Sequence, residues 1–385
     1  MNPVFSSLPT TIFTVMSALA REHDAINLGQ GFPDGDGPEH LRAIAAKALI
    51  DGPNQYPPST GIPELRRAVA EHDQRFYDLR FDPDAEIIVT SGATEALADC
   101  LLAILSPGDE AIVIEPAFDS YVPMIRAAGA TPRLVQLQPP DWRFDAEALR
   151  GAFNERTRVL IVNSPMNPTG KVFSEYELSV LAELLCEYDA YAICDEVYEH
   201  LVFDDRKHLP LMCLPGMRSR CMRIGSAGKT FSMTGWKIGY ISAPRALAEV
   251  IARAHQFVTF TSVPALQKAV AVGLASETEY FSRLAAELQT TRDLLRAGLE
   301  DIGFKVLPCH GTYFINADFS ELDKERDDMA FCRHITAAAK VAAIPVSAFY
   351  EPGNPNMPRT LARFCFCKDP AVLTEALARL RRYFA

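Results

Sequence analysis

Apolar residues along the 385-residue chain change their spacing near Ser242. Before that point, short β-rich runs recur at Ile87–Thr90, Ala111–Glu115, Arg133–Leu137, Arg158–Asn163, Ala190–Cys194, Cys221–Gly225 and Ile238–Ser242. Several are continuous rather than alternating, as in Val159-Leu160-Ile161-Val162, the pattern of strands covered on both faces. Most gaps hold a stretch of crossover length, such as Glu175–Tyr188 with Leu178, Leu181 and Leu185 on one helical face. This predicts an α/β unit with a mostly parallel seven-stranded sheet between helices. The gap from Gly225 to Ile238 carries no helical pattern, and a parallel return needs a dozen or more residues. The last strand is therefore expected to run antiparallel.

Beyond Ser242, Leu284, Leu288, Leu294, Leu295, Leu299 and Ile302 recur at helical spacings. Strand-like pieces follow at Gly311–Ala317 and Leu361–Cys367. Asp369-Pro370 reads as a helix start, Asp as N-cap and Pro in the first turn. Leu373, Leu377, Leu380 and Phe384 then mark the buried face of that helix. A smaller α+β domain is expected here. The expected division is 46–280 for the large domain, 281–385 for the small one, and 1–45 for an N-terminal segment that joins the small domain. The Pro-rich Glu351–Arg359 is expected to be a surface loop, and no linker or low-complexity tract separates the units.

Composition narrows the function. With 23% charged and 48% apolar residues, disorder is excluded. A formal net charge of −11 argues against nucleic acid and anionic membrane surfaces as partners, and no apolar run approaches the ~18–20 residues of a membrane helix. Thr11–Ala20 is apolar, but no Lys or Arg precedes it, so it reads as an ordered segment rather than a signal sequence. Nine scattered cysteines point to reduced thiols and a cytoplasmic setting. Cys365 and Cys367 form the one close pair, explained by buried packing at adjacent strand positions. The eight histidines include no His-x-x-x-His and no pairing with Cys, so no metal site is expected.

The chemistry centres on Gly225-Ser-Ala-Gly-Lys229-Thr230. A P-loop would place a glycine five residues before Gly228. Arg223 stands there, so the loop is two residues too short. Lys229 instead suits a nucleophile: a lysine at a strand's carboxyl end, partly desolvated, forms a Schiff base with a carbonyl. Ser226 and Lys237 flank it as anion-binding groups. Open α/β sheets bind ligands at the carboxyl ends of their strands, and the other ends supply what a pyridoxal phosphate ring needs. Asp195 could pair with a pyridinium nitrogen, and Tyr198 could reach the ring hydroxyl. Asn163-Ser-Pro-Met-Asn167-Pro-Thr-Gly170 forms a rigid turn whose two X-Pro bonds are candidates for cis geometry. Thr90-Ser-Gly92-Ala93-Thr94 runs into the predicted helix Glu95–Leu105, whose free N–H groups would hold a phosphate.

With these residues the chain resembles the class I/II aminotransferases, pyridoxal-phosphate enzymes of fold type I. The resemblance runs from Asn27-Leu-Gly-Gln-Gly-Phe-Pro-Asp34 to Arg363-Phe-Cys-Phe-Cys-Lys368. It is strongest to the branch of kynurenine/glutamine and methionine aminotransferases. Its carriers are Asn54-Gln-Tyr-Pro57, Glu115-Pro-Ala-Phe-Asp-Ser-Tyr121, Ile193-Cys-Asp-Glu-Val-Tyr198 and Ile224-Gly-Ser-Ala-Gly-Lys-Thr-Phe231. Bacterial N-succinyldiaminopimelate aminotransferases share many of these strings, including Tyr198-Glu-His-Leu-Val-Phe203.

The resemblance implies that Lys229 bears the cofactor and moves the proton. It implies Asp195 at the ring nitrogen, Tyr198 and Asn167 at the ring hydroxyl, and Phe118 stacked on the ring face. Phosphate would be held by Ala93, Thr94, Ser226 and Lys237, and by Tyr56 reaching in from the second subunit of a homodimer whose active sites lie at the interface. Arg363 would grip the substrate α-carboxylate, a bidentate task suited to arginine. Gly31 and Phe13 would close over the substrate, although Phe13 equally suits plain hydrophobic anchoring. Lys237 stands where aspartate-aminotransferase-like branches carry arginine, which keeps the charge and loses the bidentate fork. The implied reaction is ping-pong transfer of an amino group between an L-amino acid and a 2-oxo acid. Cysteine-conjugate β-lyase chemistry on the same fold is the nearest alternative. A pyridoxal-phosphate-binding regulator would need a DNA-binding domain, and no basic stretch or helix-turn-helix is present.

Overall fold

The computed structural model describes residues 1–276 and 278–385. A two-residue strand, β1 (Ile26–Asn27), precedes the main sheet. That sheet comprises β2 (Ile87–Thr90), β3 (Glu110–Glu115), β4 (Thr131–Gln138), β5 (Arg143–Phe144), β6 (Thr157–Asn163), β7 (Tyr191–Asp195), β8 (Cys221–Ser226) and β9 (Gly239–Ser242). The order across it is β2-β9-β8-β7-β6-β3-β4-β5. β9 runs antiparallel to both neighbours, as the helix-free gap before it implied. β5 is antiparallel to β4, and the remaining pairings are parallel. The sheet has eight strands where seven were expected. The additional one, Arg143–Phe144, spans two residues and is too short to carry a hydrophobic period.

Alternate residues of these strands enter two separate cores. Ile88, Val113, Ile161, Ile193 and Ile224 pack with Leu97 and Leu101 of the helix Ala93–Ile104. Val89, Ile112, Leu160, Val162 and Cys194 pack with Leu65 and Val69 of Pro63–Tyr77 and with Leu178 and Leu181 of Glu175–Glu187. Burial on both faces is why the central strands read as unbroken apolar runs. Ser174 opens Glu175–Glu187 with a capping box, exchanging hydrogen bonds with Glu177.

A second sheet forms from the C-terminal third: β10 (Lys305–Val306), β11 (Phe314–Asp318), β13 (Ile344–Pro345) and β14 (Leu361–Cys365), in the order β10-β11-β14-β13. The intervening β12 (Val341–Ala342) pairs in parallel with β1, tying the N-terminal segment to this part of the chain. β11 starts three residues later than expected. Thr312 adopts a φ of +67°, and Gly311 is bridged to Val202 instead. β14 ends at Cys365, so Cys367 lies beyond the strand, yet both thiols are buried with their Sγ atoms 3.1 Å apart. The helix Thr278–Ile302 buries Leu295 and Leu299 but leaves Leu294 37% exposed, off the predicted stripe. Asp369 precedes the helix Pro370–Phe384 as expected, but its side chain makes no cap; its N–H donates to Asp34 instead. The Glu351–Arg359 loop lies at the surface, and among the described residues no helix is long and apolar enough to cross a membrane.

One buried charge cluster crosses from the sheet to the helix Pro63–Tyr77. Arg223 of β8 pairs with Asp73, with Glu196 at 2.6 Å and with Glu199 at 3.0 Å. All four groups are buried. Arg223→Met strands three carboxylates and is expected to destabilise the fold by about 3–5 kcal/mol, read as a lower urea midpoint. An unchanged midpoint would show the cluster to be energetically idle.

Candidate active site

The carboxyl ends of β2, β6, β7 and β8 converge on a cavity of about 330 Å³. It is lined by every residue the sequence nominated except Tyr56: Phe13, Gly31, Ala93, Thr94, Phe118, Asn167, Asp195, Tyr198, Ser226, Lys229, Lys237 and Arg363. Tyr56 is 82% exposed and stands edge-on to Phe260, with ring centroids 5.3 Å apart.

Asp195 ends β7 and is 5% exposed. The Tyr121 hydroxyl donates to its Oδ2 at 2.5 Å. Its Oδ1 is buried and has no hydrogen-bond partner among the described residues, so the carboxylate presents one committed and one bare oxygen. Burial pushes Asp195 up to about 6, against the hydrogen bond from Tyr121. Next to it, Asn163 at the end of β6 donates from Nδ2 to the Asp195 carbonyl and accepts the Asn167 N–H, both at 2.8 Å. These bonds hold the turn in which Ser164-Pro165 and Asn167-Pro168 are both cis.

Lys229 sits in a single helical turn, Ala227–Thr230, directly after β8. Its amine donates to the Tyr313 hydroxyl at 2.8 Å. Loss of hydration pulls Lys229 down to about 8, with Cys367, Cys365 and Asp195 opposing the shift. An amine held there changes protonation near neutral pH, as a proton-transfer group requires.

One end of the cavity is built for an anion. The helix Ala93–Ile104 begins after Gly92 without a side-chain cap, so its first N–H groups have no intrahelical partner. A Cβ on Gly92, where φ is +80°, would sit 2.9 Å from the Lys237 Nζ, and one on Gly239 would meet the Gly92 carbonyl carbon at 2.6 Å. Glu95 accepts the Ser91 N–H and the imidazole of His255, at 2.8 Å for the latter. These contacts brace the turn from behind.

The other end presents a buried arginine. Arg363 of β14 is 1% exposed and donates to Asn167 Oδ1 at 2.7 Å and to the Gly29 carbonyl at 2.8 Å. Its Nε–H is buried without a partner among the described residues, which leaves one edge of the guanidinium fork open to an anion. The guanidinium carbon lies 3.8 Å from the Phe314 ring centre and 5.3 Å from that of Phe13. Phe13 also packs edge-on to Phe349 at 5.9 Å, so it both lines the cavity and anchors its segment. Burial pulls Arg363 down to about 10, which leaves it charged at neutral pH.

Tyr121, Tyr313, Asn163, Phe314 and His255 were not nominated from sequence. Tyr121 closes one of the quoted strings, but its bond to Asp195 spans 74 residues, and no local pattern reports that. The structure also gathers two groups of metal-ligand type, His72–Glu199–His200 and Glu95–Asp99–His255, that sequence spacing did not show. In the first, the two imidazole Nε2 atoms lie 2.7 Å apart and bond to each other. In the second, His255 is committed to Glu95 and to the Ser59 carbonyl.

Residues 23–380 match the family model for aminotransferases of class I and II. The chain is 45% identical to a probable N-succinyldiaminopimelate aminotransferase of Mycobacterium tuberculosis, over 96% of its own length and 95% of the relative's. It is 41% identical to the methionine aminotransferase of Escherichia coli, over 99% of both chains. Its fold superposes on the solved N-succinyldiaminopimelate aminotransferase of Mycobacterium tuberculosis with a TM-score of 0.96, at 44% identity and full coverage of both chains.

The raised pKa of Asp195 has a stability consequence for the ligand-free protein. Its folded value of about 6 lies above the unfolded one near 3.8. Stability is therefore intact below the unfolded value and falls as pH rises through roughly 4–6. Asp195→Asn is expected to stabilise the ligand-free chain at pH 7 by roughly 2–3 kcal/mol and to give no gain below about pH 4. Urea titrations at both pH values check this; a gain at neither pH would contradict the burial cost.

Proposed function

The chain belongs to the class I and II aminotransferases, whose cofactor is pyridoxal phosphate, and from that premise we propose the division of labour in its cavity and the substrates it takes. The observation that carries the proposal is one pocket holding a buried amine, a carboxylate with one bare oxygen, an uncapped helix start beside a lysine, and an arginine with an unused edge. Those groups fit the cofactor's aldehyde, ring nitrogen and phosphate and a substrate carboxylate, in that order. Asp195 would hold the ring nitrogen protonated, Tyr198 and Asn167 the ring hydroxyl, and Phe118 one ring face. Ala93, Thr94, Ser226 and Lys237 would hold the phosphate. When bound, pyridoxal phosphate supplies an electron-withdrawing ring that acidifies the substrate α-carbon.

Lys229 would take the substrate α-proton and later give a proton back, alternating between general base and general acid. Arg363 orients the amino acid through its α-carboxylate. Gly31 and Phe13 cover the reacting atoms and exclude water. The second half-reaction, with a 2-oxo acid, runs these roles backwards.

The preferred amino donor carries an apolar, sulfur-containing or aromatic side chain. Phe13, Phe32, Phe118 and Phe314 line the cavity, and its cations, Lys229, Lys237 and Arg363, all have assigned tasks. An N-succinylated donor asks for one further cation. The 45% identity to a probable N-succinyldiaminopimelate aminotransferase supports that second reading. Rates with methionine, kynurenine, glutamine and N-succinyldiaminopimelate separate the two.

The assembly we propose is a cytoplasmic homodimer in which Tyr56 completes the neighbour's phosphate site. Ile50, Tyr56, Phe257, Phe260 and Val263 are large apolar residues left exposed on the single chain. We propose 46–280 as the cofactor-binding domain and 281–385 with 1–45 as the smaller one. The main sheet falls wholly within the first range, and the β10-β11-β14-β13 sheet within the second.

Lys229→Ala is expected to reduce turnover by about a thousandfold or more while leaving the fold intact; normal turnover without added amine would end the assignment. Arg363→Lys is expected to lower kcat/KM by roughly ten- to a hundredfold, chiefly through KM. If KM stays unchanged for every amino acid, Arg363 is not the carboxylate clamp. Sedimentation should give about twice the 42.5 kDa chain mass, whereas a fully active monomer would remove Tyr56 from the site.

A further inference from the structure

Tyr313 touches both Lys229 and the N-terminal segment. Its hydroxyl oxygen lies 2.8 Å from the Lys229 amine and 2.8 Å from the Gly31 carbonyl. A carbonyl only accepts, so the hydroxyl proton is committed to Gly31. Tyr313 can then only accept from Lys229. We propose that Tyr313 is a positioning residue that fixes the direction of this hydrogen-bond chain, holding Lys229 by one N–H while keeping the amine's lone pair free for the substrate proton. The inference rests on Lys229 acting as the proton-transfer base.

Were the chain reversed, with the hydroxyl donating to the amine, the lone pair would be occupied and the base blocked. The Gly31 carbonyl prevents that reversal, and the backbone there is positioned by packing. A Cβ on Gly31 would meet Phe314 Cζ at 2.3 Å and Tyr313 Cε2 at 2.9 Å. The Tyr313 ring is 1% exposed and stands edge-on to Tyr198 at 5.2 Å, so the hydroxyl has little freedom to swing away. The same oxygen joins β1's downstream segment to the base, so closure of that segment and orientation of the amine share one contact. The other titratable and charged groups around the amine are Asp195, Tyr198, Arg363, Cys365 and Cys367. None of them makes a hydrogen bond to it among the described contacts.

The test is the pH dependence of Lys229 acylation by acetic anhydride in the full-length chain freed of cofactor, read by peptide mass spectrometry. It is paired with single-turnover rates of the cofactor-loaded protein with methionine. Tyr313→Phe keeps the ring and removes the acceptor, so the ammonium loses a partner. The Lys229 pKa is expected to fall by about one unit, and kcat to fall more than KM rises. Gly31→Ala keeps the hydroxyl, and because its Cβ would overlap Phe314 and the Tyr313 ring, it parts that hydroxyl from the Gly31 carbonyl. Whether the hydroxyl then donates to the amine or loses contact with it, the ammonium loses its acceptor and the pKa is expected to fall again. This second variant decides the matter if Tyr313→Phe does not fold. An unchanged Lys229 pKa in the folded variants overturns the proposal. If the wild-type protein transfers no amino group while both shifts persist, the hydrogen-bond chain stands and the aminotransferase assignment falls.

Discussion

The site depends on burying an amine and a carboxylate in one pocket without letting them neutralise each other. Lys229 and Asp195 are drawn towards each other's charge, yet the shortest contacts of each go elsewhere: the amine to Tyr313, the carboxylate to Tyr121. Each group's hydrogen bond is thus to a tyrosine rather than to the other, and both line the cavity. The dry surroundings pull the lysine down to about 8 and push the aspartate up to about 6. Two charged groups that would be satisfied in water are kept poised to act on a ligand.

Such an arrangement needs a rigid frame. The sheet provides it, because β6, β7 and β8 are covered on both faces; β6 and β7 end on the paired Asn163 and Asp195, and β8 runs two residues past Ile224, the partner of Asp195. Asn163, Asp195 and the Ser226–Lys229 turn follow from those strand ends. The reversed strand β9 follows Lys237 and sets Gly239 against Gly92, which places a cation at a helix start. Arg363 enters from the second sheet, so the proposed ring site and the proposed carboxylate site come from different parts of the chain.

Much of this was legible in the sequence, for identifiable reasons. Buried parallel strands leave continuous apolar runs, and residues at or just past their carboxyl ends face the ligand, so Lys229, Asp195 and Tyr198 could be nominated directly, whereas the role of Asn167 came through family resemblance. The antiparallel β9 followed from a gap too short for a crossover. Arg363, Phe13 and Tyr56 came through family resemblance, since nothing local marks them. Tyr313 was hidden because Gly311–Ala317 read as a strand, whereas Thr312 breaks it and Tyr313 instead places its hydroxyl against Lys229 and Gly31. Tyr121 and His255 act across 74 and 160 residues, separations that leave no period to detect. The eighth strand was missed because two residues carry no alternation.

The central claim is that Lys229 carries pyridoxal phosphate and moves amino groups with it. The most direct test is the visible absorption spectrum of the purified protein before and after L-glutamate is added. A yellow band that shifts to the pyridoxamine form on adding glutamate, and is missing from Lys229→Ala, is the predicted result. The absence of any such band after incubation with pyridoxal phosphate would contradict it.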